Sequence, residues 1–92
     1  MTDSPTITNL REIEIGGRMY WRFDWDAPYK SLAWQSALDG VKCVPLDERE
    51  WDPVAKHWTV LVTPDNAVQL SMVFPNFWKA VEAIHAQGVL AL

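Results

Sequence analysis

Apolar and polar residues alternate along the first patterned part of the chain, REIEIGGRMYWRFDW. The even positions are charged or polar, whereas the odd positions are apolar from residue 13 onward: Ile13, Ile15, Met19, Trp21, Phe23 and Trp25. A period of two residues is typical of a β-strand with one buried face. Two adjacent glycines interrupt the pattern, so it predicts a β-hairpin whose strands both turn their odd positions toward the core.

The loop length of this hairpin decides which residues face each other. The odd positions of both strands share a face only if the two residue numbers of each facing pair add up to an even number. A three-residue loop from Gly16 to Arg18 meets this condition, whereas a two-residue Gly-Gly turn does not. We therefore expect Ile15 opposite Met19. Residues 1–8 lack the pattern, which predicts a disordered lead followed by a single domain over residues 9–92.

A helical pattern follows the hairpin. Asp26 as a cap, Pro28 in the first turn and Gly40 as a terminator predict a helix from about Pro28 to Asp39. Its apolar positions have the three-and-four spacing of one buried stripe: Tyr29, Leu32, Ala33, Ala37 and Val41. Trp34 lies off this stripe, at the edge of the core or exposed.

The stretch EREWDPVAKHWTV predicts a second hairpin. Asp52 can accept backbone N–H bonds and Pro53 is preset for a type I turn, so residues 53–56 connect two strands. Counting outward from that turn sets His57 opposite Asp52 and Trp58 opposite Trp51. Because both tryptophans are in phase with the apolar alternation, the spacing favours a structural role for them over ligand stacking.

Prolines organise the last third of the chain. Thr63 as a cap and Pro64 at the first helical position predict the start of a helix. Pro75 should break it near Phe74, with a further helix from about Asn76 to Gln87 that ends at Gly88. The apolar tail, residues 89–92, is expected to pack back as a short strand. These elements predict an α+β domain of order ββαββα(α), with an antiparallel sheet built from two hairpins and helices on one face.

The second hairpin and its flanking helices also carry a family resemblance. The run REWDPVAKHWTV, between PYKSLAWQSAL and PDNAVQLSMVFPNF, resembles the HARP-type domain of annealing helicases and related helicase-like proteins, over about residues 19–77. The matching motif comprises Trp51, Asp52, Pro53, Trp58 and Pro64. The resemblance implies contact with branched or single-stranded DNA beside a motor domain. The family usually has basic residues before the first tryptophan, where this chain has VPLDERE, and this departure weakens the implied DNA contact.

Composition and charge narrow the function classes. A chain of 92 residues supports one small domain, and its net charge of −4 opposes a strong grip on phosphate. The single cysteine, Cys43, excludes an internal disulfide and a Cys-based zinc site. With no signal-like or membrane-spanning stretch in the sequence, we expect a cytoplasmic protein that does not contact membranes.

The sequence predicts no catalysis. His57 and His85 lack metal-ligand spacing, and no phosphate-binding glycine loop or serine nucleophile motif occurs. Three carboxylates, Glu48, Glu50 and Asp52, alternate along one predicted strand, which is more typical of a solvated edge than of an acid and base pair. We therefore expect no cofactor, metal ion or small-molecule substrate.

Two function hypotheses remain open at the level of sequence. The first is a DNA-interaction module, alone or beside a helicase-like protein, that uses Arg18, Tyr20 and Arg22 on the open face of the first hairpin. Trp34 and Trp78 are its candidate stacking platforms. The second is an acidic adaptor or inhibitor of a nucleic-acid enzyme, whose residues Glu48, Glu50 and Asp52 meet a basic protein surface.

Overall fold

A computed structural model describes residues 5–27 and 30–90, with side chains described up to residue 86. The elements in chain order are β1 (Thr6–Ile15), β2 (Arg18–Asp26), α1 (Leu32–Val41), a one-turn 3-10 helix (Leu46–Glu48), β3 (Arg49–Asp52), β4 (His57–Leu61), α2 (Pro64–Val73) and α3 (Phe77–Leu90). The strands form one antiparallel sheet in the order β1-β2-β4-β3. The predicted α+β fold is confirmed.

The first hairpin has a different register from the predicted one. Gly16 and Gly17 form a two-residue turn, and Ile15 faces Arg18 rather than Met19. Both glycines have positive φ, at 60° and 82°, which is the backbone that turns matched to strand twist require. The prediction of a three-residue loop was wrong. As a consequence, Ile15 shares a face with Tyr20 and Arg22 and is exposed.

A β-bulge in β1 corrects the phase of the strand. The register shifts between Thr8 and Arg11, and Asn9 within this bulge has a φ of 53°. Beyond the bulge Ile7 faces Trp25 and is buried in the core. Residues 6–8 therefore belong to β1 instead of a disordered lead, while residues 1–4 lie outside the described part of the chain.

The helices cover the sheet face that carries the odd positions of β2. The ring of Trp21 meets Phe77 edge-on at 5.1 Å between centroids, and Phe23 meets Phe74 at 5.7 Å. Around these rings lie the other buried apolar residues: Ile7, Leu10, Ala37, Val41, Val44, Trp58, Val60, Ala67, Leu70 and Val81. Burial of this apolar surface is the main stabilising contribution to the fold.

Helix α1 begins later than predicted and buries only part of the predicted stripe. Ser31 caps it by accepting a hydrogen bond from the backbone N of Trp34 at 3.1 Å, whereas Asp26 is the last residue of β2. Leu32 is 88% exposed. It lies two residues before Trp34, about 200° around the helix axis. The inward stripe keeps Ala37 and Val41 from the prediction and adds Trp34 and Leu38. Pro28 and Tyr29 lie outside the described residues.

The break at Pro75 is confirmed, because α2 ends at Val73 and α3 begins at Phe77. Thr63 caps α2 by accepting a hydrogen bond from the backbone N of Asn66 at 3.0 Å, as the sequence predicts. The predicted stop at Gly88 was wrong, because α3 continues to Leu90. Residues 89 and 90 are therefore helical rather than part of a strand, and residues 91 and 92 are outside the described range.

Candidate functional site

The second hairpin has the predicted register. Trp51 faces Trp58 and Asp52 faces His57, and the two indole rings lie 5.2 Å apart between centroids. The turn is held by the carboxylate of Asp52, whose Oδ1 accepts hydrogen bonds from the backbone N of Val54 at 2.9 Å and of Ala55 at 3.0 Å. The sequence thus predicted this turn and both facing pairs.

The same contacts govern the charge of the turn. The backbone N–H groups of Ala55 and Val54 lower the pKa of the Asp52 carboxyl below its ordinary value of 3.8, with smaller contributions from His57 and Arg22. The carboxylate is therefore engaged in holding the turn.

The two tryptophans of the hairpin differ in exposure. Trp58 is 6% exposed, whereas Trp51 is 44% exposed at the edge of the sheet. Trp58 also stacks on Trp25, with ring centroids 6.2 Å apart and planes 16° from parallel. Trp25 in turn contacts Phe74 at 5.6 Å, so a continuous row of rings leads from the core to the surface.

This row of rings forms one wall of an open groove between the sheet and α1. The groove has a volume of about 540 Å³, within the range of about 300–1,000 Å³ that small-molecule and cofactor sites occupy. We call it the tryptophan groove, and its lining residues are Trp25, Trp34, Leu38, Lys42, Trp51, Lys56 and Trp58. Four indoles from β2, α1, β3 and β4 thus converge on one site.

Two lysines give the tryptophan groove a positive rim. Lys42 follows the last residue of α1 and Lys56 lies in the turn between β3 and β4, and both are exposed. Lys56 has a φ of 59°, a backbone conformation that lysine rarely adopts. Two ammonium groups beside an aromatic surface suit a ligand with a planar ring and a negative charge.

A second, smaller part of the groove has a volume of about 190 Å³. The four tryptophans and Lys56 also line this part, together with Asp24 in β2 and Ala27 directly after it. The side chain of Asp24 alternates with that of Trp25 along β2 and its Oδ1 is buried. The smaller part therefore adds mainly aromatic surface to the groove.

The residues predicted to bind nucleic acid do not form one surface. Tyr20 and Arg22 lie on the sheet face opposite the tryptophan groove, in a cleft of about 140 Å³ that Glu48 and Glu50 also line. The Nε of Arg22 donates to the Thr59 hydroxyl at 3.2 Å. The acidic neighbours offset the charge of Arg22, so this cleft is poorly suited to phosphate.

The other predicted members lie elsewhere. Arg18 is exposed at the tip of the first hairpin, next to the Gly-Gly turn. Trp78 is 52% exposed on α3, where its ring packs on Phe77 at 5.1 Å. Trp34 is in the tryptophan groove. Only Trp34 of the five predicted residues therefore lines the site that the fold assembles.

The acidic residues predicted to alternate along one strand do not all belong to that strand. Glu48 lies in the 3-10 helix before β3, and its Oε1 accepts a hydrogen bond from the Asn66 Nδ2 at 3.0 Å. Glu50 and Asp52 are both in β3, and Asp52 also holds the turn. Because the strand begins only at Arg49, the predicted strand assignment of Glu48 was wrong, although Glu48 lines the same cleft as Glu50.

Sequence reasoning missed Asp24, Trp25, Lys42 and Lys56 as site residues. Trp25 was assigned to the core by its phase, and it is indeed partly buried against the core. The available signal was the number of tryptophans, six in 92 residues, of which four line the groove. No sequence signal relates the two lysines, because they are brought together only by the docking of α1 on the sheet.

Within the described residues, no group of three or more histidine, cysteine, aspartate or glutamate side chains is placed to hold a metal ion. In the same part of the chain, every helix is too short or too polar to cross a lipid bilayer. Comparison with protein-family models, with curated proteins and with solved structures found no match.

Proposed function

We propose that this chain is a non-catalytic interaction module that binds single-stranded DNA in the tryptophan groove. The main support for this proposal is the convergence of four indoles and two lysines on one open site. Indoles stack on any nucleobase, and ammonium groups attract the phosphates that join successive nucleotides. A duplex offers its phosphates but keeps its base faces covered, so single strands are the expected ligands.

Trp51 is the main stacking platform in this proposal. It is the hairpin tryptophan with the greater exposure, at 44%, and it lines both parts of the groove. Trp58 lies beneath it and fixes its position through a ring contact at 5.2 Å. Stacking of one base on an exposed indole contributes about 1–3 kcal/mol to binding. A platform held by a buried partner loses little side-chain freedom on binding.

The family resemblance supports the same place on the molecule. The motif that resembles HARP-type domains includes Trp51, Asp52, Pro53 and Trp58, and these residues form the hairpin that makes one wall of the groove. A role beside a helicase-like protein is therefore part of the proposal. In that setting the module would hold a displaced strand while a motor on another chain or domain acts.

The charge of the chain sets the expected strength of binding. With Lys42 and Lys56 as the rim cations, about two phosphates are neutralised, and the slope of log affinity against log salt on a single strand should be about −1.4. The net charge of −4 repels the remaining phosphates. Binding should therefore be weak for the isolated module and should gain from attachment to a larger DNA-binding protein.

An acidic adaptor that binds a basic protein surface is the second candidate. Asp47, Glu48 and Glu50 line the cleft on the opposite sheet face, which favours a positively charged partner. Arg22 and Arg49 line the same cleft and reduce its negative potential. The tryptophan groove has no part in this function, so it stands second.

The test is a titration of fluorescently labelled single-stranded, forked and duplex DNA at low salt, followed by anisotropy and by tryptophan emission. Single-stranded DNA should bind most tightly and should quench the emission. Trp51→Ala should weaken binding by about 5- to 150-fold, corresponding to the loss of one stacked base. Lys42→Ala and Lys56→Ala should each weaken binding and should reduce the salt slope by about 0.7.

Matched variants outside the groove serve as controls. Trp78→Ala removes an exposed indole of similar accessibility, and Arg22→Ala removes a cation from the opposite sheet face. Neither should change the affinity by more than about twofold, a difference of about 0.4 kcal/mol. Absence of binding by the wild type, or equal losses for Trp51→Ala and Trp78→Ala, would defeat the proposal and leave the acidic adaptor.

A further inference from the structure

The sheet has an open edge along β3. This strand is the last in the order β1-β2-β4-β3, so the backbone groups on its outer side have no ladder partner among the described residues. Glu50 and Trp51 turn to opposite faces of the sheet, and both are exposed. The residues that face them in β4, Thr59 and Trp58, are only 7% and 6% exposed. Exposure of β3 on both faces indicates that the described chain leaves its outer side uncovered.

The opposite edge of the sheet is covered. There β1 packs against α3, and the side chain of Asn76, directly before that helix, bonds both backbone groups of Ile7. Proteins commonly cover sheet edges because an open edge pairs with other chains. The contrast between the two edges indicates β3 as the place where a further strand can join the sheet, which is a common mode of peptide binding.

On the core face of the sheet, an aromatic row ends at the open edge. Phe23 faces Trp58, and Trp58 faces Trp51, the last ring of the row. Trp51 is 44% exposed, so a side chain on an added strand would cover it. Aromatic pairs between neighbouring strands stabilise a sheet. An aromatic residue therefore suits the position opposite Trp51.

On the other face, a polar row ends at the same edge. Arg22 faces Thr59, and Thr59 faces Glu50, which is exposed. Asp52 lies two residues further along β3 and places a second carboxylate on this face. Opposite charges at facing strand positions attract each other, and like charges repel. Lysine or arginine therefore suits the positions opposite Glu50 and Asp52.

A second copy of this chain does not meet these requirements. Antiparallel pairing of two β3 strands about a two-fold axis sets one residue of the strand opposite its own copy. An axis at Arg49, Glu50 or Asp52 brings two identical charges together, and an axis at Trp51 places Glu50 opposite Asp52. Every such register opposes like charges, so the complementary occupant is a different chain with a basic segment.

We propose that β3 receives an extended segment of a basic partner protein as a fifth strand of the sheet. The segment carries a lysine or arginine on each side of an aromatic residue, so that the ring packs on Trp51 and the two cations lie opposite Glu50 and Asp52. This interaction surface goes beyond the proposed binding of DNA. Of its three residues, only Trp51 also lines the tryptophan groove.

The experiment titrates the labelled peptide TVKYKVT, blocked at both ends, with the protein and follows fluorescence anisotropy. A salt concentration of about 0.1 M screens charges that are more than about 10 Å apart. Wild type should bind this peptide. The peptide TVKKYVT has the same composition and charge but places its two lysines on opposite faces of a strand, and it should bind more weakly.

Backbone methylation separates strand addition from simple charge attraction. Successive N–H groups of a strand point alternately toward a neighbouring strand and away from it. An N-methyl group on the tyrosine or, in a second peptide, on the lysine after it leaves every charge in place. One of these two peptides should lose about 5- to 150-fold in affinity, because a hydrogen bond to β3 is replaced by an unpaired acceptor, and the other should bind nearly as well as the parent peptide.

Charge exchange tests the position of the peptide on the protein. Glu50→Lys should weaken binding of TVKYKVT by about 2- to 30-fold, because an attractive cross-strand pair becomes a repulsive one. The same variant should bind the peptide TVEYEVT more tightly than wild type does. Glu82→Lys makes the same change at an exposed position of α3, which packs at the opposite edge of the sheet, and should leave both affinities within about twofold.

The outcomes decide this proposal separately from DNA binding. Loss of affinity at only one of the two methylated positions, together with a preference that follows the charge at residue 50, supports strand addition at β3. No binding of TVKYKVT by wild type, equal affinities of the two methylated peptides, or equal effects of Glu50→Lys and Glu82→Lys would overturn it. The titrations with single-stranded DNA test the tryptophan groove by themselves, so either proposal can fail without the other.

Discussion

The side-chain amide of Asn76 pairs with the backbone of Ile7 as a neighbouring strand would. Its Oδ1 accepts from the Ile7 N–H at 2.9 Å and its Nδ2 donates to the Ile7 carbonyl at 3.0 Å. Because β1 is an edge strand, these backbone groups have no ladder partner on their outer side. The residue after Pro75 thus ties the start of α3 to the edge of the sheet.

Replacement of Asn76 by alanine should therefore destabilise the protein. Ile7 is 4% exposed, so the loss leaves a buried donor and a buried acceptor without partners, at a cost of about 1–3 kcal/mol. Urea unfolding measures the change, and the amide of Ile7 should lose protection from hydrogen exchange. Gln35→Ala, at an exposed side chain that donates to Asp39, is the control and should stay within about 0.5 kcal/mol. Equal effects of the two variants would contradict the edge-pairing role.

Gly40 should tolerate no side chain despite its position inside a helix. An ideal Cβ there would lie 2.3 Å from the Cγ2 of Val73 on α2, because α1 and α2 pack closely at this point. Gly→Ala in a helix usually stabilises by about 1 kcal/mol, but here the clash should reverse the sign and cost about 1–3 kcal/mol. Thermal unfolding provides the measurement. The Gly40→Ala, Val73→Ala double variant should recover much of the loss, and a stabilised single variant would refute the close contact.

Substitution of Trp58 should mainly lower stability, whereas substitution of Trp51 should mainly lower the affinity for single-stranded DNA. Trp58→Ala removes a ring that is 6% exposed and should cost about 3–5 kcal/mol, whereas Trp51→Ala should cost less than about 2 kcal/mol. Denaturant unfolding of both variants gives the comparison. If Trp58→Ala melts near the wild-type temperature, the ring does not support the core. Trp51→Ala should remain folded and lose affinity for single-stranded DNA.

Lys56→Gly should change stability and binding in opposite directions. Lys56 has a φ of 59°, a left-handed backbone that is strained for lysine and unstrained for glycine. The greater freedom of glycine in the unfolded chain offsets part of this relief, so the free energy of unfolding should rise by about 0.5–1 kcal/mol. Loss of the ammonium group should weaken DNA binding. Lys42→Ala removes the same charge from a residue with an ordinary φ of −69° and should lower affinity without the gain in stability. Unchanged affinity in Lys56→Gly would remove Lys56 from the site.

Asp52 should contribute to the acid sensitivity of the fold. Its pKa is lowered in the folded state by the N–H groups of Ala55 and Val54, so its stabilising contribution is present above the unfolded value of 3.8 and is lost as the pH falls through the folded value. The difference in free energy of unfolding between wild type and Asp52→Asn should therefore shrink below pH 3.8. Denaturant titrations from neutral pH downward measure it, and a constant difference would show that the charge of Asp52 is irrelevant to the turn.

Local chemistry made parts of this fold predictable from the sequence. The register of the second hairpin followed from an Asp-Pro turn and two tryptophans, since turn residues and strand alternation act over a few neighbouring positions. The break at Pro75 followed for the same reason, because a proline lacks the N–H that a helix interior requires. These features need no information from distant parts of the chain.

Local patterns were enough to predict the order of the elements, the second hairpin and the division of the last helical segment. Tertiary packing decided the rest. Burial of Ile7 beside Trp25 set the phase of β1 through a bulge, while the Gly-Gly turn took the geometry that suits strand twist. The docking of α1 brought Trp34 and Lys42 to Trp51 and Lys56, and no local pattern specifies which turn of a helix meets which strand. The candidate site therefore arises from long-range packing, which lies beyond the reach of periodicity and turn chemistry.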